Sequence, residues 1–311
     1  MVENLTALPK IVVICGPTGV GKTGFAIELA RHFTAEIVGA DSMQIYRRMD
    51  IGTAKPTVAE QAAVRHHLVD FLEPDQPFDA AAYAREADRI LTVLRAADIL
   101  PLVVGGTGLY IKALLFGLFD NQPANPALRR RLKHLAEQKG SEHLHSLLVQ
   151  KDPGAAGRIH PNDTYRVARA LEIIENTGQP LSDLHAGQGF THPRYNALRI
   201  GLTLPREQLY RRIDQRVDLM LEQGLEQEVR ILLEQGIDPA LKSMQSLGYR
   251  HFIAYFDGHT DREETLRLLK RDHRRYAKRQ LTWFRADPGV HWLSPGDLPR
   301  AVEMIHTFLT D

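Results

Sequence analysis

Eight consecutive residues, Gly16-Pro17-Thr18-Gly19-Val20-Gly21-Lys22-Thr23, carry the first recognisable chemistry in this chain of 311 residues. They match the pattern G-x-x-x-x-G-K-[ST]. Its glycines let successive backbone N–H groups turn toward phosphate oxygens, Lys22 adds a full positive charge, and the Thr23 hydroxyl suits Mg²⁺. A β-branched run over 11–15 precedes the motif, and a helix-like stretch over 22–33 follows it. Strand, glycine loop and helix in that order predict a diphosphate site formed by all eight residues. The motif does not say whose diphosphate it holds.

ATP and a kinase or ATPase would be the first assumption. A hydrolytic P-loop protein usually ends a later strand in an aspartate that helps hold Mg²⁺ and water. Here the run over 100–104 ends in Gly105-Gly106-Thr107, without an acid. The acid at a strand end is Asp41, after the run over 36–40. In a parallel sheet that end opens on the same crevice as the phosphate loop. A carboxylate facing a bound diphosphate is a candidate general base; the alternative is a turn-capping or metal-shell aspartate.

The elements that would position these groups alternate. Strand-like runs over 11–15, 36–40 and 100–104 are interleaved with helical stretches over 22–33 and 83–97. That alternation predicts a P-loop NTPase-like α/β domain with a doubly wound parallel sheet. From 121 to 194 the strands stop, Pro123, Pro126 and His192-Pro193 mark the edges, and helical periodicity takes over at Leu128, Leu132 and Leu135 and at Val167, Ala170, Leu171 and Ile174. A strand pattern returns over 197–204, and a helix follows from about Pro205. The expected organisation is a core of 1–120 and 195–311 with basic C-terminal helices, and an inserted all-helical domain of 121–194.

Composition narrows the class. At 43% hydrophobic and 25% charged the chain is that of a globular protein. No stretch approaches the ~20 apolar residues that span a bilayer, and residues 1–10 do not read as a secretory signal. The single cysteine, Cys15, excludes an internal disulfide and a Cys-based zinc site. The adjacent His66 and His67 would point apart on any regular element and have no acid at ligand spacing. The expectation is a cytoplasmic protein, monomeric and without a membrane partner. The net charge is +1, but residues 262–285 hold nine Lys or Arg against three acids, +6, which leaves −5 elsewhere. One concentrated basic segment in a nearly neutral chain points to a polyanionic partner.

The run from Asp41, Ser42, Met43 and Gln44 through to Pro56 resembles the signature of the bacterial tRNA dimethylallyltransferases. So do 66–70, 105–110, 158–163 and Lys278-Arg279-Gln280-Leu281-Thr282-Trp283-Phe284-Arg285, in the family's order and across most of the chain. Arg48 departs from the pattern, which usually has Gly there. The resemblance implies transfer of a dimethylallyl group from dimethylallyl diphosphate to N6 of the adenosine 3′-adjacent to the anticodon, with diphosphate released. It implies a catalytic set of Asp41 as general base, Lys22, Thr107, and Arg216 from the pattern Asp214-Gln215-Arg216. Mg²⁺ on Thr23 completes the donor site. Ser42, Met43, Gln44 and Thr107 would line the adenine side, the base being taken out of its stack.

For the grip on the tRNA anticodon stem-loop, a helical projection of 266–285 puts Leu266, Leu269, Tyr276, Ala277, Leu281 and Phe284 on one arc. Arg267, Arg271, Arg274, Arg275, Lys278 and Arg285 fall roughly opposite, and acids are nearly absent among them, which favours phosphate contact over an ordinary solvated face. Lys278, Arg279, Gln280 and Arg285 are the expected contacts there. In the insertion Arg129, Tyr165, Arg166 and Arg169 are further contacts, with Tyr165 free to stack on a loop base. Three rival readings stand beside this one: a small-molecule P-loop kinase, a free-nucleotide isopentenyltransferase, and an RNA-binding module with a vestigial phosphate loop.

Overall fold

The computed structural model describes residues 7–117, 125–183 and 192–311; Pro123 lies outside them. The chain divides into two compact units, Met1–Leu115 with Arg194–Asp311, and Phe116–Pro193.

The larger unit is built on β1 (Lys10–Cys15), β2 (Ala35–Gly39), β3 (His66–His67), β4 (Leu100–Gly105), β5 (Asn196–Leu202) and β6 (Val290–Leu293). They form one sheet in the order β3-β2-β4-β1-β5-β6, and every pairing is parallel. β1 is central: Val12 pairs with Leu102 on one side and with Leu198 on the other. Its run Ile-Val-Val-Ile-Cys is buried throughout, as a strand covered on both faces requires. Helices α1 (Lys22–Ala30), α2 (Val58–Ala63), α3 (Ala80–Ala96) and α4 (Gly108–Phe116) fall between or after the first strands. Neither β3 nor β6 is expected from the sequence, because at two and four residues they are too short to show a period of two.

Phe116–Pro193 is helical where described: α5 (Pro126–Lys139), α6 (Ser141–Lys151), α7 (Pro153–Ala156) and α8 (Thr164–Thr177). It has its own core, in which Leu128, Leu132, Leu144, Leu148, Val167 and Leu171 pack together.

The C-terminal half adds α9 (Arg206–Glu222), α10 (Leu225–Glu234), α11 (Tyr249–Phe256), α12 (Arg262–Arg285) and α13 (Leu298–Thr310). The N-cap carboxylate of Asp261 accepts from the Glu264 amide and starts α12. Thr265, Leu269, His273, Ala277, Gln280 and Phe284 form the buried stripe of that helix. Leu209, Ile213 and Ala277 cover the sheet core, whereas Val217, Met220 and Leu269 join a second core with Ile45, Met49, Tyr249 and Phe252. α9 and α12 thus span both cores and face the exits of β1 and β2.

Arg48 occupies the left-handed region at φ 64°, a conformation Gly adopts without cost and other residues do not. Its guanidinium binds Glu73 at 2.6 Å and Gln235 at 2.8 Å.

Candidate active site

The phosphate loop follows β1 directly. Gly16 has φ 144°, and a Cβ there would stand 2.6 Å from the Leu202 carbonyl oxygen, so only glycine lets the loop pass β5. Of the eight motif residues, Thr18, Gly19, Gly21, Lys22 and Thr23 line a cavity of about 1020 Å³. Gly16 and Pro17 offer their carbonyls to Lys22 Nζ at 3.0 and 2.9 Å, and Val20 is buried in the sheet core. Burial pushes the Lys22 ammonium down to about 8, with Asp41 opposing the shift and Arg216 adding to it.

The chain leaves β2 into Ala40-Asp41, and here the absence of an acid after β4 acquires a reason. A Cβ at Gly105 would lie 2.1 Å from the Ala40 carbonyl oxygen, and one at Gly106 would lie 2.3 Å from Gln280 Nε2. Backbone excludes an aspartate at Gly105, and at Gly106 one would have to displace the Gln280 side chain. The close approach is stitched by Ala40 N to the Val104 carbonyl (2.8 Å), Thr107 N to the Ala40 carbonyl (3.1 Å) and Ser42 N to Thr107 Oγ1 (3.0 Å).

Asp41 serves as a turn former and as an acid in the cavity wall. Its Oδ1 accepts from the amides of Met43 (2.8 Å) and Gln44 (3.3 Å), whereas its Oδ2 has no partner among the described residues. Ser42, Met43 and Gln44 line the same cavity. Both N–H bonds of the Gln44 carboxamide go to the carbonyls of Thr53 (3.2 Å) and Ala54 (2.9 Å). Glu228 holds that loop in turn, accepting from the amides of Asp50, Ile51 and Gly52 at 2.8, 2.8 and 3.0 Å. Thr107 is not among the residues that line the cavity: its Oγ1 accepts from the Ser42 amide at 3.0 Å.

Arg216 projects from α9 onto the loop, its Nη1 donating to Thr18 Oγ1 at 3.0 Å. Burial lowers its pKa and the Asp41 carboxylate opposes that. Lys22, Arg216 and Asp41 therefore lie within electrostatic reach of one another around one cavity. His273 lines it too, and burial, with Arg216 and His251 adding, takes its imidazole down to about 3, so it is neutral at any physiological pH.

The basic face of α12 divides into two groups. Arg267, Lys270, Arg271 and Arg274 are paired with Glu264, Asp218, Asp272 and Asp214 at 2.6, 2.6, 2.9 and 2.5 Å. Lys278, Arg279 and Arg285 are exposed and have no carboxylate partner among the described residues. Gln280, expected to contact RNA, is 5% exposed: it lines the cavity, and both ends of its carboxamide are bonded within the protein. Its position three residues after Ala277 and four before Phe284 already put it on the buried stripe of the helix. Tyr276, His273 and Glu228 were not among the expected site residues; the first two share the inward side of α12, and Glu228 carries no local signal.

In Phe116–Pro193, Arg129 and Arg169 both bind Glu172, which is fully buried: Arg129 Nε at 2.9 and 3.0 Å, Arg169 Nη1 at 2.6 Å. Burial alone would raise the Glu172 carboxyl, but bonds from Arg169, Arg129 and the Asn125 amide outweigh it and hold it below the usual carboxylate range. Arg166 pairs with Asp163 at 3.3 Å, and the Tyr165 ring is 78% exposed. The two histidines of β3 are hydrogen-bonded separately, His66 Nδ1 to the Val64 carbonyl at 2.7 Å and His67 Nε2 to Glu36 at 2.5 Å. Among the described residues no three His, Cys, Asp or Glu converge on a metal position, and no helix is long and apolar enough to cross a membrane.

Residues 44–287 match the family model of the IPP transferases. A tRNA dimethylallyltransferase of Desulfosudis oleivorans is 54% identical over 92% of this chain and 91% of its own length. The crystal structure of the full-length tRNA isopentenylpyrophosphate transferase from Bacillus halodurans is 41% identical, covers 97% of this chain and 95% of that one, and superposes with a TM-score of 0.71. A eukaryotic dimethylallyltransferase solved while acting on tRNA is 28% identical over 97% of this chain and 80% of its own, with a TM-score of 0.82. The chain belongs to the IPP transferase family, and its fold is the P-loop-like α/β fold of that family.

Proposed function

We propose that this chain transfers a dimethylallyl group from dimethylallyl diphosphate to N6 of the adenosine 3′-adjacent to the anticodon of tRNA. The single observation that carries the reading is the convergence of the phosphate loop, Arg216 and Asp41 on one cavity of about 1020 Å³. A diphosphate on the loop and a base beside Asp41 share that space. The kinase reading loses ground because β4 ends at Gly105 against the Ala40 backbone, which leaves no room there for the missing aspartate.

The chemistry follows from the charges. The bond from the allylic C1 to the diphosphate oxygen breaks with its electron pair leaving on oxygen, while the N6 lone pair forms the new bond to C1. Negative charge grows on the leaving group, where the loop amides, Lys22 and Arg216 stabilise it. The proton lost by N6 goes to Asp41 Oδ2, the oxygen not spent on the turn. Thr107 holds the Ser42 turn that carries this carboxylate.

Thr23 lines the same cavity as Lys22 and Asp41, which suits Mg²⁺: this ion takes few protein ligands and completes its shell from phosphate oxygens and water. Bound there, it would neutralise further charge on the diphosphate. Lys278, Arg279 and Arg285 supply cations for the RNA backbone, with Arg129, Tyr165, Arg166 and Arg169 as contacts from the helical unit. A tRNA acceptor puts the enzyme in the cytoplasm, and one chain holds every residue the reaction uses.

Labelled dimethylallyl diphosphate incubated with tRNA, with AMP, or with no acceptor tests the proposal. Label in tRNA alone is expected. Label in AMP would move the assignment to a free-nucleotide enzyme, and no transfer with either acceptor would overturn it.

A further inference from the structure

Gln280 sits where the pattern of α12 asks for an apolar side chain, and both ends of its carboxamide are used. Oε1 accepts from the Thr18 amide at 2.8 Å, and Nε2 donates to the Gly106 carbonyl at 2.9 Å. These two turns leave neighbouring strands, β1 and β4, whose ladder ends at Cys15 and Gly105. Past that point Gln280 bridges them. The fit is close, since a Cβ on Gly106 would stand 2.3 Å from Nε2. Thr18 is gripped a second time through its hydroxyl by Arg216, and Arg274 on α12 binds Asp214 on α9, two residues before Arg216.

An amide in a phosphate loop is ordinarily free to meet a phosphate oxygen. At Thr18 the amide is committed to a protein side chain instead. The group that takes it must accept from Thr18 and donate to Gly106 without charge beside a diphosphate. A carboxamide satisfies all three conditions; a carboxylate cannot donate, and a lysine cannot accept.

The geometry points to Gln280 as a positioning residue for the donor site: it fixes the phosphate loop at Thr18 and so acts on diphosphate affinity, not on RNA contact. This holds although its sequence neighbours Lys278 and Arg279 are exposed cations. The inference rests on the diphosphate-donor reading above.

Gln280→Met keeps the length of the side chain and removes both bonds. Inorganic pyrophosphate and dimethylallyl diphosphate are titrated calorimetrically into the tRNA-free protein, with tRNA affinity measured in parallel by filter binding. Affinity for both diphosphates is expected to fall about tenfold, as for a buried amide left unpaired. The KM for donor should rise more than kcat falls, and tRNA affinity should stay within about twofold of wild type. Hydrogen exchange gives a second readout that does not need the variant to fold: the Thr18 amide is expected to be protected in donor-free wild type. Unchanged pyrophosphate affinity in the variant, or an unprotected Thr18 amide in folded wild type, overturns the proposal. If wild type binds pyrophosphate in a Gln280-dependent way but does not bind dimethylallyl diphosphate, the donor reading fails and the role of Gln280 stands.

Discussion

Arg216 Nη1 donates to the Thr18 hydroxyl across 3.0 Å, so a helix from the second half of the chain sets a guanidinium against the phosphate loop formed near its start. With Lys22 it gives the loop two cations, both raised by the Asp41 carboxylate against the cost of burial. Charge on a leaving diphosphate grows toward the transition state, so these cations should act on rate as well as on binding. Lys22→Ala and Arg216→Ala are each expected to lower kcat/KM for donor by about 10²-fold or more. Steady-state kinetics with tRNA held saturating measure this; wild-type kinetics in Arg216→Ala would remove that residue from the site.

The ion pairs of α12 separate the cations free to meet RNA from those that tie the protein together. Lys278→Glu with Arg285→Glu should weaken tRNA binding and make the slope of log K against log salt shallower by roughly 0.7 to 0.9 for each phosphate no longer neutralised. Arg271→Gln with Arg274→Gln should instead lower thermal stability, because those side chains hold Asp272 and Asp214, and should leave the salt slope unchanged. Filter binding at several salt concentrations, beside thermal melts, separates the two pairs. The opposite assignment of effects would mean that the RNA lies over the N-terminal turns of the helix.

Glu172 gives the helical unit a pH dependence. Its folded pKa lies below the ordinary carboxylate value of about 4.3. Its contribution to stability is therefore fully present above that value and is lost as pH falls through the lower, folded one. Exchange protection of α5 and α8, corrected for intrinsic rates, should be constant from pH 7 to 5 and decline below about pH 4.3. In Glu172→Gln protection should already be weaker at pH 7, and its decline with acid should be smaller than in wild type, the remainder coming from Asp152 of the same unit, whose carboxyl is held low, against burial, by the Ala155 and Ser182 amides. Protection in wild type that ignores pH would exclude this buried carboxylate as its source.

What was legible in the sequence was whatever is local. The glycine loop, the strand before it and the acid after β2 are each written in a few adjacent residues. The stripe of α12 was legible in its 3.6-residue period, including the inward place of Gln280, although the motif around it pointed to RNA. What was not legible depends on pairs far apart in the chain. Arg274 with Asp214, Lys270 with Asp218 and Arg129 with Glu172 turn exposed-looking cations into internal ties. The reason β4 ends in glycine, the nearness of Ala40, also exists only once β2 and β4 are paired.

Asp41 is the centre of the proposed reaction: its Oδ1 closes the turn, and its Oδ2 is assigned the N6 proton. Asp41→Asn keeps an oxygen for the Met43 and Gln44 amides while removing the basic group. Single-turnover transfer from labelled dimethylallyl diphosphate to tRNA, with both substrates saturating, is expected to slow by about 10²-fold or more while donor affinity stays near wild type. A slowing of less than about tenfold, or a collapse of donor affinity in place of rate, would contradict the role of Asp41 as the base.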